Sequence, residues 1–108
     1  MTTIFIASPY TLGDVGINVK KSMEVADKLL TMGYTPFVPL LFHFQHISYP
    51  RPYEDWIKLD LDWLSKCDIV LRLPGESSGA DGEVAKAKEL GIPVYYSIDE
   101  MRMKREHL

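Results

Sequence analysis

Residues 68–94, DIVLRLPGESSGADGEVAKAKELGIPV, most narrow what this chain can fold into, because an apolar run, a Gly/Ser loop and a helical pattern follow without a break. Ile69, Val70, Leu71 and Leu73 form a short β-favouring run over residues 68–73, which Pro74-Gly75 stops. The loop over residues 76–82 then opens a helix expected over residues 81–90, ended by Gly91, and residues 92–96 read as the next strand. In such strand-loop-helix-strand units, ligands bind beyond the carboxyl ends of the strands. Glu83 would fall in the first helical turn, where the macrodipole favours a negative charge and backbone N–H groups are unpaired.

The rest of the chain supplies matching elements. TIFIA, residues 3–7, reads as a first strand whose continuous apolar character suits the buried middle of a parallel sheet. Residues 11–16 read as a loop with two glycines. Asn18 can open a helix whose apolar positions Val19, Met23, Ala26, Leu29 and Leu30 run up to Gly33. Residues 35–38 form a second strand between prolines, and residues 40–52, LLFHFQHISYPRP, read as mostly loop with one helical turn. A further helix is expected over residues 53–66, with Pro52 at N1 and Trp56, Leu59, Trp63, Leu64 and Cys67 at helical spacing. The tail over residues 98–108 reads as a short charged helix. This alternation indicates an α/β domain, a doubly wound parallel sheet of about four to five strands.

At 108 residues the chain is expected to be one domain spanning residues 1–108, and a site needing a second wall would borrow it from another subunit. The formal net charge of −3 argues against polymeric nucleic acid as a partner. Cys67 is the one cysteine, which excludes an intrachain disulfide and a cysteine-based zinc site and fits a reducing cytoplasm. Residues 1–10 lack the basic and long apolar regions of a signal peptide, and no apolar run approaches membrane-spanning length. The expected location is cytoplasmic.

Candidate site residues come with bland alternatives. A carboxylate at Glu83 beside a glycine-rich loop can attack an electrophilic carbon or balance positive charge, yet acids are common in first turns and Asp81 can be a plain N-cap. Ser77, Ser78, Gly79 and Gly82 offer hydroxyls and approachable amides of the kind that hold a phosphate or a sugar hydroxyl. Asp60 stands out by geometry. At about 100° per residue with Trp56 as zero, Asp60 falls near 40°, between Cys67 at about 20° and Leu64 at about 80°. Asp55 and Asp62 fall on the solvent face. A carboxylate facing the sheet is costly unless it is paired or the face opens into a pocket, where burial would raise its pKa toward that of a proton donor. Its structural alternative is to cap an amide or to pair with Arg72. Arg72, inside a buried strand, needs an anion, which Asp60, Asp68 or a ligand phosphate would supply. Tyr10 and Asn18 flank the loop after the first strand and either meet a ligand or serve only as a packed aromatic and an N-cap. His43 and His46 read as a pocket wall or as an incomplete metal site, so neither a metal nor a cofactor is expected.

IFIASPY, the Asp60-Leu61 pair before CDIVLRL, and SSGADGEVAKAKELGIPV together resemble the nucleoside 2-deoxyribosyltransferase superfamily, which includes the 2′-deoxynucleoside 5′-phosphate N-hydrolases. The resemblance covers most of the chain and implies a flavodoxin-like domain. It implies that Glu83 is the nucleophile that attacks the anomeric carbon and that Asp60 protonates or positions the departing base. Ser77 and Gly79 occupy the places at which the nucleotide-hydrolysing branch holds the 5′-phosphate. Ser8, Ser78 and Asn18 join them as expected binding residues, and Tyr10 is the tyrosine available for catalysis. The tyrosine that the transferases carry in the first strand falls at Phe5, and the chain ends before the segment with which they complete a neighbour's pocket.

The expected activity is therefore cleavage of the N-glycosidic bond of a (deoxy)nucleoside or its 5′-monophosphate through a covalent glycosyl-enzyme, by hydrolysis or base transfer. A homodimer or larger homo-oligomer is expected to carry it out. The rival expectations are a module that senses a nucleotide without turning it over, and a structural domain in which Asp60 is buried with Arg72.

Overall fold

The computed structural model describes residues 2–106. β1 (Thr3–Ala7) leads through α1 (Val15–Thr31) to β2 (Thr35–Phe37). A 3₁₀ turn (Pro39–Leu41), α2 (Phe42–Ser48) and α3 (Tyr53–Leu64) carry the chain to β3 (Ile69–Arg72). Then α4 (Ser78–Glu89) leads to β4 (Val94–Tyr95), and α5 (Ile98–Glu106) follows. Among the described residues the four strands form one parallel sheet in the order β2-β1-β3-β4. This is the expected doubly wound α/β architecture.

Side chains alternate across a strand, and here both faces are covered. Ile4, Ile6, Ile69 and Leu71 pack on Ala26 and Leu29 of α1 and Met101 of α5. Phe5, Ala7 and Val70 pack on Leu64, Cys67, Ala80 and Ala87, from the α3 and α4 side. Two-sided burial is why TIFIA and IVL carry no polar alternation. The connection after β1 turns to one face and the connection after β3 to the other, so a crevice opens beyond the carboxyl ends of these adjacent strands. Gly75 brings the two connections together. It has φ of 121°, and a Cβ there would lie 2.8 Å from Pro9 Cγ, so only glycine fits both the backbone and the contact.

Several boundaries differ from expectation. α1 starts at Val15 because Asp14, a strong capping residue, accepts a hydrogen bond from the Ile17 N–H at 3.0 Å, which takes Gly16 and Asn18 into the helix. Met23 and Leu30, expected on its apolar face, are exposed, the sheet covering only the narrower stripe of Val19, Ser22, Ala26 and Leu29. Residues 42–48 are a two-turn helix rather than loop. That helix buries no residue, so no core-facing stripe marked it in the sequence. Pro52 is the N-cap of α3, one position earlier than expected, and the helix ends at Leu64. β4 is two residues long, since Pro93 has no N–H to give and joins the ladder only through its carbonyl, bonded by the Val70 N–H at 2.9 Å. The tail forms the expected helix through Glu106; residues 107 and 108 of that expectation lie outside the described residues.

Candidate active site

The largest departure lies at α4. Ser77 is its N-cap, with an extended backbone (φ −165°) and a hydroxyl that accepts the Ala80 N–H at 3.0 Å. The helix thus begins at Ser78, three residues before the expected start. Three cap-competent residues compete here, and Ser77 wins because the earlier start seats both Ala80 and Ala87 in the core against Phe5 and Val70. Two expectations fall with it. Glu83 stands in the second turn, beyond the reach of the first-turn dipole, and Asp81 is not a cap.

Asp81 instead pairs with Arg72, Oδ1 to Nη2 at 3.0 Å. Arg72, 8% exposed, also donates to the Gly75 carbonyl at 2.9 Å and to that of Leu73. It thereby clips the β3–α4 loop to the head of α4. Neither Asp60 nor Asp68 is its ion-pair partner, and Asp68 accepts the Thr3 N–H at 2.9 Å. The structural alternative in which Asp60 is buried with Arg72 is thereby overturned, because the short loop brings Asp81 to the guanidinium first.

Glu83 and Asp60 line one cavity of about 380 Å³, together with Ser8, Tyr10, Ser77 and Gly79. Asp60 comes from α3 and Glu83 from α4, helices that run side by side on one face of the sheet. Asp60 Oδ1 is buried without a hydrogen-bond partner among the described residues. Burial pushes its pKa up to about 7. Burial, and after it the nearby Asp60 charge, raise Glu83 against the opposing pull of the Arg72 guanidinium, leaving it at about 8. Asp55 and Asp62 are tied instead to Arg51 at 3.0 Å and Lys66 at 3.1 Å outside the core.

The remaining expected residues divide. Ser8, 7% exposed, presents to the same cavity a hydroxyl with no partner among the described residues. Tyr10 lines it too, its hydroxyl bonded to His43 Nδ1 and its pKa raised by burial. Gly79 lies where a Cβ would approach the Tyr53 hydroxyl to 3.3 Å. Asn18 is neither N-cap nor cavity wall. Its amide donates to the carbonyls of Tyr10 at 3.0 Å and Leu12 at 2.8 Å, holding the loop that carries Tyr10. Ser78, exposed at the first helical position, is also outside the lining. Phe5, at 0% exposure, packs against Phe37 with ring centroids 5.7 Å apart and does not line the cavity.

His43 and His46 line the cavity from α2, as the pocket-wall alternative had it. The rest of this wall was not anticipated: Phe42 comes from α2, while Arg51, Tyr53, Trp56 and Ile57 come from the approach to α3 and its first turns. Trp56 stacks on Phe42, and its indole N–H donates to His46 Nδ1 at 2.8 Å. The available signal was local: Phe42, His43 and His46 at helical spacing, and Trp56 and Ile57 one turn before Asp60. Among the described residues no group of three or more His, Cys, Asp or Glu is arranged to hold a metal ion. The arrangement offers two acids with raised pKa values, free hydroxyls and an aromatic wall. It can hold a flat polar heterocycle beside an acid pair able to exchange one proton.

Comparison with solved structures finds this fold among 2-deoxyribosyltransferases. The enzyme from the psychrotolerant bacterium Bacillus psychrosaccharolyticus matches with a TM-score of 0.64 at 22% identity, over 86% of this chain and 69% of its own. The 2-deoxyribosyltransferase from Leishmania mexicana matches with a TM-score of 0.65 at 20% identity, over 87% of this chain and 62% of its own. The chain therefore spans about two thirds of the length of either enzyme, and at these identities the shared property is the fold. No curated protein matches the sequence. A family model does match, over residues 2–97, and by that match the chain belongs to the family described as Domain of unknown function (DUF7768).

Proposed function

We propose that this protein cleaves the N-glycosidic bond of a (deoxy)nucleoside or its 5′-monophosphate. The observation that carries the reading is the meeting of Asp60 and Glu83, from two helices, in one cavity where Asp60 Oδ1 and Ser8 Oγ lack partners among the described residues. Buried polar atoms without partners are rare because each forfeits about 1–3 kcal/mol; a bound sugar or base would satisfy both. In the first half-reaction a Glu83 carboxylate oxygen bonds to C1′ as the C1′–N bond breaks, and its electron pair leaves with the base, which takes a proton from Asp60. Water that gives its proton back to Asp60, or an acceptor base, then displaces Glu83. This is the two-carboxylate logic of retaining glycosidases.

The chemistry needs Glu83 ionised while the pair keeps one proton. With about 7 for Asp60 and about 8 for Glu83, the single proton rests more on Glu83 in the free protein, so the productive arrangement, Glu83 ionised and Asp60 protonated, is the minor one-proton form; it is most populated between the two values, giving a bell-shaped profile. The N–H groups of Ser78 and Gly79, at the first two positions of α4, have no helical acceptor, and Ser77 can still donate its proton; these suit a 5′-phosphate. An oligomer remains part of the proposal, supported by Phe44, Ile47 and Tyr49, large apolar side chains exposed on and just after α2. Phe5 favours a second reading, binding without turnover, because no hydroxyl stands at the place of the family tyrosine.

Incubation with deoxynucleosides and their 5′-monophosphates, followed by chromatography for free base, tests the reading. Base release is expected, and Glu83→Ala is expected to lower it by at least about a thousandfold, the scale on which nucleophile removal acts. Release that survives Glu83→Ala would refute the nucleophile assignment; binding without release would favour the sensor.

A further inference from the structure

The two histidines that α2 carries to the cavity are held differently. His46 Nδ1 faces the Trp56 indole N–H at 2.8 Å and the Arg51 backbone N–H at 3.3 Å. Both of these groups can only donate. Nδ1 must therefore carry a lone pair, and the neutral ring carries its proton on Nε2. Turning the ring over would set carbon atoms against two N–H groups and leave both unsatisfied. Nε2–H has no protein acceptor among the described residues. His43 is not fixed in this way, because its Nδ1 meets the Tyr10 hydroxyl, which donates or accepts.

His46 is also part of a stiff wall. Its ring stands edge-on to Trp56, with centroids 5.7 Å apart and planes at 78°, and Trp56 stacks on Phe42 at 5.9 Å. Trp56 lies four residues before Asp60 on α3, a rise of about 6 Å, and both line the cavity with Phe42, His46 and Glu83. A heterocycle whose sugar carbon sits at Glu83 and Asp60 can therefore reach this wall.

We propose that His46 reads the base, its Nε2–H donating to a carbonyl oxygen or ring nitrogen on the edge of a heterocycle laid against Phe42 and Trp56. The inference rests on the nucleoside reading of the cavity and adds to it a polarity: a fixed donor accepts a lone pair at that edge and disfavours an amino group there.

Nitrogen-15 spectroscopy of the free protein tests the first step. The Nε2–H tautomer is expected at His46; the Nδ1–H tautomer would overturn the proposal whatever the protein binds. The second step uses Glu83→Ala protein, to prevent turnover, titrated with the four 2′-deoxynucleoside 5′-monophosphates and with 2-deoxyribose 5-phosphate. The nucleotides are expected to move the His46 Nε2 resonance and the Gly79 amide, and the sugar phosphate only the amide. A nucleotide that moves Gly79 and leaves His46 unmoved overturns the role of His46 while the nucleotide reading stands. No response anywhere in the cavity overturns both. Finally, His46→Asn keeps an acceptor near the indole and loses the donor. It is expected to weaken nucleotide binding roughly three- to tenfold without changing sugar phosphate binding. His46→Gln, with an amide near the Nε2 position, is expected to restore most of the difference; equal losses for both ligands would refute the proposal.

Discussion

Replacing Asp60 by asparagine separates what the acid does for catalysis from what it does to stability. In the folded protein burial raises the Asp60 pKa from an ordinary 3.8 to about 7. A raised carboxyl pKa means that the native state holds its proton longer than the unfolded chain, so stability falls as pH rises from about 4 to about 7 and stays low above that. The full difference corresponds to about 4 kcal/mol. Solvent at the cavity mouth screens the charge and brings the expected effect nearer about 2 kcal/mol. Asparagine has the same shape and no charge to desolvate, but it brings an N–H₂ group that itself lacks a partner, a penalty of about 1–3 kcal/mol at every pH. Asp60→Asn should therefore be less stable than the wild type at pH 4. By pH 8 it should have gained about 2 kcal/mol relative to the wild type. The two curves then approach or cross while base release falls well below that of Asp62→Asn, whose side chain is exposed beside Lys66. Urea unfolding followed by circular dichroism at both pH values measures the differences. A wild-type-to-variant gap that does not change between pH 4 and pH 8 would refute the claim that Asp60 is held in a desolvated site.

Arg72→Met removes the charge that lowers the Glu83 pKa, so the limb of the activity profile that follows Glu83 ionisation should move to higher pH. Freeing the loop carbonyls should also lower stability by about 1–3 kcal/mol in the same urea assay. Gly82→Ala places its methyl group in open space inside α4 and should stabilise the protein by about 1 kcal/mol without altering base release. Destabilisation there would argue against a helix that already runs at Gly82. Ser77→Ala loses the cap on Ala80 and should lower stability by about 1 kcal/mol, with weaker binding of 5′-monophosphates than of nucleosides in calorimetry.

The order of elements was legible because it depends on local pattern. TIFIA and IVL are apolar without alternation, and two helix-periodic stretches lie between them, so strands buried on both faces and covered by helices are nearly the only arrangement open to them. Asp60 was legible for the same reason: a charge inside an apolar arc shows at 3.6-residue spacing, and the structure turns it into the cavity. Less could be read at α2. A helix that faces a cavity carries aromatic and polar residues on its inner side, and His43 and His46 do not register as a core stripe.

What the sequence determined by itself, then, is the α/β alternation and the buried strands; Asp60 and Glu83 it put forward as candidates, and both line the cavity. Propensity and periodicity act over a few residues, and these features need nothing longer. Tertiary structure alone decided where α4 begins, because Ser77, Ser78 and Asp81 are all competent caps and only the seating of Ala80 and Ala87 against the sheet separates them. It also decided that Arg72 takes Asp81 rather than Asp60, and so left Asp60 unpaired beside Glu83. Partner choice among charged side chains depends on which loop is short enough to bring two of them together, a long-range property. The proton on His46 is decided in the same way, by an indole ten residues away in sequence and 2.8 Å away in space.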